Sequence, residues 1–178
     1  MTMSTAHQLD CALSTSRSWK GEDFALLPLL LRIRAGRPGR FVELGAYTGT
    51  DFSNTLVLEK CYGWSGLLIE ANSHNFMKLQ KSGRSAPLRR SAICAGQGRH
   101  GETVNITKAG GAVAGQVRSM AASFVAKERR GDDLKEEAVP CQSLTSLIKQ
   151  SNLSLPIDFL SLGPPLLTLT RAAPLVLH

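Results

Sequence analysis

Residues 40–72 limit the fold of this chain more than any other stretch. They begin with a short apolar run, turn at Gly45 and Gly49, and continue with a helical pattern from about residue 53 to residue 61. Gly63 is expected to end that helix, and a second apolar run follows and ends on Glu70. This order of strand, glycine turn, helix, strand and acid is the first half of a nucleotide-binding α/β fold.

The turn and the acid have the features of a ligand site. Glycine lets the backbone turn sharply and come close to a ligand, because it has no Cβ. The helix after the turn directs its free N–H groups and the positive end of its dipole toward the same place. Glu70 lies 25 residues after Gly45, near the roughly 20-residue spacing at which an acid binds the hydroxyls of a ribose.

Two properties of the turn favour S-adenosylmethionine over NAD. The turn has only two glycines, so the pyrophosphate-binding pattern G-x-G-x-x-G is not present. Glu43 lies beside the turn, where an acid repels phosphate and suits a cationic or zwitterionic ligand. S-adenosylmethionine carries a sulfonium and an amino group and has no phosphate. We therefore expect it as the cofactor, with a dinucleotide-dependent oxidoreductase as the weaker alternative.

The length of 178 residues corresponds to one domain or part of one. A hydrophobic fraction of 43% supports a core, and an aromatic fraction of 6% makes that core mainly aliphatic. The sequence contains no apolar run that approaches the roughly 20 residues needed to span a bilayer, so we predict no membrane partner.

The first 18 residues lack periodicity and are rich in Ser and Thr, so we predict a mobile tail over residues 1–18. They lack a basic start followed by an apolar stretch and do not resemble a secretory signal. We predict a cytoplasmic location. The scarcity of acids in the tail leaves an organelle transit peptide open as an alternative.

The cysteines and histidines do not form a recognisable metal pattern. Four cysteines are far apart in sequence and form no CxxC, so we predict reduced, mostly buried thiols in a reducing compartment. The four histidines do not supply clustered ligands, and we predict no metal site.

The net charge of +7 is unevenly spread along the chain. Residues 71–101 contain six basic side chains and no acid. Such a stretch can bind nucleic acid or an anionic substrate, or it can be a solvated surface. Because aromatic residues are not interleaved beyond Phe76, we favour the solvated surface and do not expect nucleic acid as a partner.

The rest of the chain reads as alternating strands and helices. The helix of residues 19–33 is expected to hold Pro28 in its first turn, and Asn72 or Ser73 can cap the helix that follows Glu70. Ser143 is a possible cap for a later helix. The remaining predicted elements are strands at 88–94, 102–107, 138–141 and 157–162, helices at 120–130 and 143–150, a loop at 108–115 and a charged surface at 127–137.

Several stretches together resemble the FkbM-type methyltransferase family, which uses S-adenosylmethionine in a Rossmann-like fold. The most specific is FSNTLVLE at 52–59, followed by GWSG and LLIEAN up to residue 72. The others are FVELGAYTG at 41–49, SAIC at 91–94, and VPC at 139–141 followed by IDFLSL at 157–162. The resemblance covers roughly residues 38–162.

The resemblance implies an α/β fold with the sheet of a Rossmann-like class I methyltransferase. It also implies O-methylation of a hydroxylated small molecule or sugar. The cofactor-binding residues that it implies are Glu43, Gly45, Ala46 and Gly49 along the methionine part, Glu70 at the ribose hydroxyls, Asn72 near the adenine, and Ala92 and Ile93 on either side of the adenine ring.

The resemblance stops after Leu162. Members of the family continue there with an Asp and then a Glu-Gly pair, whereas this chain has Gly163 and a proline-rich stretch without acids. We therefore predict a partial methyltransferase domain at 19–162, truncated on the C-terminal side, and a non-family tail at 163–178. The catalytic residues remain unassigned, because the family Asp is absent and Asp158 comes too early in its strand.

The shortened sheet leaves a second interpretation open. The strand at 157–162 should lie beside the first strand, with its other edge apolar and unpaired, which favours self-association. The chain can then be an active methyltransferase, or an inactive truncated relative that binds cofactor weakly or binds a partner protein.

Overall fold

The computed structural model describes residues 5–94, 102–107 and 135–163. Within these ranges, four parallel strands form one sheet in the order β3-β2-β1-β7, and three further strands form a second sheet in the order β4-β6-β5. The strands are β1 Arg40–Leu44, β2 Ser65–Glu70, β3 Leu88–Arg90, β4 Ala92–Ile93, β5 Thr103–Thr107, β6 Glu136–Gln142 and β7 Phe159–Leu162.

Five α-helices and one short 3-10 helix accompany these strands in the described part of the chain. A helix long and apolar enough to cross a membrane is not found among them. The helices are α1 Thr5–Thr15, the 3-10 helix Trp19–Gly21, α2 Glu22–Ile33, α3 Leu56–Tyr62, α4 Ser73–Leu79 and α5 Leu144–Gln150.

The parallel sheet is covered on both faces, as its apolar sequence requires. Alternate side chains of a strand point to opposite faces. In β1, Phe41 therefore joins the core formed with α1, α2 and α3. Val42 and Leu44 join a second core with α5. The parallel strand pairing and the helices on both faces confirm the predicted α/β class, and the sheet is compatible with a Rossmann-like fold.

Local signals in the sequence set several helix ends as predicted. Gly63 ends α3 with φ 67°. Glycine adopts this left-handed conformation at little energetic cost, because it has no Cβ. Asn72 caps α4 by accepting a hydrogen bond from the Asn75 backbone N–H over 3.0 Å. Ser143 caps α5 in the same way.

Some expected elements differ in the structure. The predicted tail is wrong over residues 5–15, which form α1 and bury Ala12 completely. Pro28 lies in the interior of α2 rather than in its first turn. The third strand is interrupted at Ser91, where the chain leaves the parallel sheet and begins β4 in the second sheet.

The prediction of four reduced thiols is also wrong, because tertiary packing pairs them. A disulfide joins Cys11 in α1 to Cys61 in α3, with 5.7 Å between the Cα atoms. A second disulfide joins Cys94 to Cys141, whose Cα atoms are also 5.7 Å apart. Neither pair has the short spacing that would have shown it in the sequence.

Strand β7 occupies the predicted place beside β1, with Leu44 opposite Leu162. In the part of the chain that the structure describes, no strand pairs with the other edge of β7, and half of the Leu162 side chain is exposed. Self-association through this edge stays a prediction. The predictions for residues 108–115, 120–130 and 164–178 fall outside the described residues.

Candidate functional site

The turn after β1 crosses to the end of β2. The backbone N–H groups of Gly45 and Ala46 donate to the Ile69 carbonyl over 2.9 and 3.1 Å, and the Gly49 N–H donates to the Ala46 carbonyl. Gly45 and Gly49 have φ 71° and 78°, which other L-residues rarely adopt. This part of the chain therefore folds as predicted, with the glycines at the sharp bends.

Glu70 lies against the turn. Its carboxylate accepts the Tyr47 backbone N–H over 2.8 Å and the Asn72 N–H over 2.9 Å. Hydrogen bonds from the Asn75 side chain and the Ala71 backbone also reach it. Burial raises the pKa of Glu70, and these hydrogen bonds oppose the rise. The acid and the turn thus meet at the carboxyl edge of two neighbouring parallel strands.

Glu43 has a different environment. Its carboxylate accepts hydrogen bonds from the Ser53 and Thr55 hydroxyls over 2.8 and 2.6 Å and from the Asn54 backbone N–H over 3.0 Å. Burial raises the pKa of Glu43, and the charge of Arg84 opposes that rise. Glu43 therefore stabilises the start of α3, so the argument that it repels phosphate at the turn loses its basis.

Arg84 is the main residue that the sequence did not identify. The predicted solvated surface is wrong at this position, because the guanidinium is completely buried. It forms an ion pair with Glu59 at 3.0 Å, and it donates to the Gly49 carbonyl over 2.6 Å and to the Thr55 hydroxyl over 2.8 Å. Glu43 lies 3.8 Å away. No local pattern marks Arg84, since its partners come from three distant segments.

Two residues assigned to the methionine part of the cofactor have structural contacts. A Cβ on Gly49 would lie 2.5 Å from the Leu79 side chain and 2.9 Å from the Ser82 hydroxyl. Ala46 is buried in the core beneath the turn. Close packing therefore accounts for the small residues at both positions, and contact with a cofactor stays a prediction.

The residues assigned to the adenine lie beside Glu70. Asn72 is buried, and its side-chain N–H also donates to the Thr107 carbonyl over 2.8 Å. The Ser91 N–H donates to the Glu70 carbonyl over 3.3 Å, which brings the following Ala92 and Ile93 to the end of β2. Both are partly buried, so the structure places these predicted residues near the same edge as the turn.

The end of β7 also reaches the turn. The Gly163 N–H donates to the Leu44 carbonyl over 2.7 Å. A Cβ at position 163, where the FkbM-type family carries an Asp, would lie 2.7 Å from the Gly45 carbonyl oxygen. An acid at this position would thus require the backbone of the turn to shift.

Asp158 lies at the other end of the strands, where β1 begins. Its carboxylate accepts the Arg40 backbone N–H over 2.8 Å at the start of β1, and it pairs with Arg34 at 3.3 Å. This location agrees with the expectation that Asp158 comes too early in its strand to act at the turn.

Basic residues near the site are engaged within the protein. Arg90 pairs with Glu137 at 3.0 Å, and Arg89 donates to the Gln150 carbonyl over 2.8 Å. These contacts give both side chains a structural role. In the described ranges no cluster of His, Cys, Asp and Glu could hold a metal ion.

Compared with known proteins, the chain matches no family model, no curated protein and no solved structure.

Proposed function

We propose that this chain binds S-adenosylmethionine at the carboxyl edge of β1 and β2 and acts as a methyltransferase on a hydroxylated small molecule or sugar. One observation carries the proposal: the Tyr47 N–H of the glycine turn lies 2.8 Å from the Glu70 carboxylate. A turn after the first strand and an acid after the second are the two parts of a nucleoside site in a sheet of this order.

Each part would have its own role in binding. The turn would lie along the methionine portion of the cofactor, where Gly45 lets the backbone approach closely. Glu70 would accept the ribose hydroxyls. A carboxylate has about four lone-pair positions, and protein donors already engage those of Glu70. Ribose binding would therefore replace one of these donors.

The chemistry would be attack of an acceptor oxygen on the sulfonium methyl group. The protein would contribute by holding the two reactants in line. Asp158 is committed to Arg34 and the start of β1, so we assign it no part in the reaction. A cofactor-binding protein without turnover is the second candidate, and it is favoured by the absence of the family Asp at position 163.

Calorimetric titration of the full chain with S-adenosylmethionine tests the proposal. We expect saturable binding that Glu70→Gln weakens by about tenfold or more, because hydrogen bonds to a charged group are worth roughly 1.5–3 kcal/mol. The matched control is Glu102→Gln, which makes the same change at an exposed residue. Absence of both heat and a thermal shift at millimolar cofactor would refute the site.

Transfer of a labelled methyl group separates the two candidates. An active enzyme should label at least one acceptor in a panel of hydroxylated compounds, and Glu70→Gln should reduce that labelling. Cofactor binding without labelling of any acceptor would favour the binding protein.

A further inference from the structure

Three aromatic side chains lie together on the loop that contains the glycine turn and on the segment that precedes α2. The Phe52 ring is stacked on Tyr47, with 5.9 Å between the centroids and 8° between the planes. Trp19 meets Phe52 edge to face, with centroids 4.9 Å apart. Aromatic residues make up only 6% of the chain, so three in contact are a local concentration.

The backbone under these rings is held in an unfavourable conformation. Tyr47 and Phe52 have φ 51° and 62°, in the left-handed region that bulky residues avoid. Such conformations persist where the surrounding structure enforces them, and they cluster at functional sites. Here the Tyr47 N–H is bound to Glu70, and the Phe52 N–H donates to the Arg17 carbonyl over 2.8 Å. These bonds hold the rings in position.

The outermost ring of the group is open to solvent. Trp19 is 52% exposed, whereas the other tryptophan, Trp64, is 3% exposed and belongs to the core. Tyr47 and Phe52 are partly buried. An exposed indole next to two fixed rings offers apolar surface on which a flat ligand can pack.

We propose that Trp19, Phe52 and Tyr47 form an aromatic platform that binds the methyl acceptor, and that this acceptor is a hydroxylated aromatic ring. This inference rests on the proposed function, because the Tyr47 N–H is the group that contacts Glu70. A flat ring gains from stacking, whereas a sugar needs polar partners. The carboxylate that binds the Tyr47 N–H, that of Glu70, already accepts hydrogen bonds from four protein groups.

The reaction on such an acceptor balances without another reagent. The phenolic oxygen forms a bond to the methyl carbon, and the carbon–sulfur bond breaks. Its electron pair stays on sulfur, which leaves as a neutral thioether. The phenolic proton passes to solvent.

Tryptophan fluorescence of the full chain tests the platform directly. Resorcinol is the planar, hydroxylated probe, and glucose is the hydroxylated probe without an aromatic ring. We expect resorcinol to change the emission saturably and glucose to leave it unchanged. Trp19→Leu should remove the response, since only buried Trp64 then emits. Phe52→Leu should weaken resorcinol binding by about fivefold, the size of a lost aromatic pair.

Controls separate a binding effect from a folding effect. Leu29→Ala truncates another exposed apolar side chain, on α2, and should bind resorcinol as the unmodified chain does. Thermal melting of Trp19→Leu and Phe52→Leu reports whether each variant is folded. Quenching that rises linearly with resorcinol concentration, to the same extent in Phe52→Leu and in the unmodified chain, would overturn the platform. Binding of glucose as strong as that of resorcinol would also overturn it.

The same samples distinguish this inference from the proposed function. Binding of S-adenosylmethionine without a saturable resorcinol response overturns the platform and leaves the cofactor site standing. Saturable resorcinol binding without S-adenosylmethionine binding supports the aromatic platform and overturns the methyltransferase proposal.

Discussion

Two buried glutamates in neighbouring strands have partners of different kinds. Glu43 in β1 is bound by the Ser53 and Thr55 hydroxyls and lies near the Arg84 guanidinium. Glu70 in β2 is bound mainly by backbone N–H groups at the edge where the glycine turn lies. Burial raises the pKa of both. The same residue type thus stabilises the core in one place and borders a candidate ligand site in the other.

The difference shows that a motif position does not settle a side chain's role. Both acids lie at or near the carboxyl end of an apolar strand in the sequence. Their positions along the strands separate them. Glu43 precedes the last residue of β1 and is bound by the residues that lead into α3. Glu70 is the last residue of β2 and lies against the turn. We therefore call the Glu43, Arg84 and Glu59 group the internal charge cluster and expect mutations there to affect stability first.

The largest effect should come from removing the only cation of the internal charge cluster. Arg84→Met leaves two buried carboxylates without their partner, and this should cost about 3–5 kcal/mol of unfolding free energy. Urea denaturation measures it. Arg32→Met makes the same change at an exposed residue and should stay within about 0.5 kcal/mol. Equal losses in the two variants would show that the cluster contributes nothing specific.

The disulfides allow a comparison between the two sides of the molecule. Cys11–Cys61 ties α1 to α3, and Cys94–Cys141 ties the residue that follows β4 to β6. Their separations are 50 and 47 residues, so chain entropy predicts a contribution of about 4 kcal/mol to the unfolding free energy for each. Unfolding of Cys11→Ala and Cys94→Ala measures both losses, and titration with a thiol reagent counts free thiols. Four reactive thiols in the unreduced, denatured chain would contradict both bonds.

Gly49 tests whether the turn is shaped by packing. Gly49→Ala introduces strain at φ 78° and a clash with Leu79, which together should cost about 2–3 kcal/mol. Gly83→Ala is the matched control, since it has φ 68° and open space around the new Cβ. Gly83→Ala should lose only about 1 kcal/mol of unfolding free energy. Chemical denaturation gives both values, and equal losses would remove the packing explanation.

The smallest effect should appear in the pH dependence of stability. A raised pKa means that the folded state holds a proton that the unfolded state has lost. The unfolding free energy should therefore fall as pH rises from the ordinary Glu pKa of 4.5 through the raised values, by at most about 1.4 kcal/mol per unit for each group. Glu70→Gln and Glu43→Gln should each flatten that fall. If the unfolding free energy of these variants fell with pH as steeply as that of the unmodified chain, the prediction would be contradicted.

Local sequence signals predicted much of the sheet and many helix ends. Gly63, Asn72 and Ser143 end or cap helices through contacts within a few residues, so their roles can be read from the sequence. The same holds for the apolar strands, because a covered parallel strand is apolar along its whole length. The N-terminal helix was missed, since its short sequence has a weak apolar pattern and packs through Ala12 and Cys11.

Contacts between distant segments could not be predicted in this way. Arg84 reaches Glu43, Glu59 and the turn at Gly49 from a stretch that looks like a solvated basic surface. Cysteine pairing likewise depends on which elements become neighbours. In both cases the stabilising partner lies tens of residues away, and only the folded chain brings the two together.

The sequence alone therefore determined the order of strand, turn, helix, strand and acid, because glycine conformation and apolar periodicity act within a few residues. It also placed Gly45 and Glu70 at one edge, since parallel neighbours bring their carboxyl ends together. The tertiary structure decided which of the two acids faces that edge and which is enclosed with Arg84. Burial and charge pairing depend on packing between segments, and these segments are far apart along the chain.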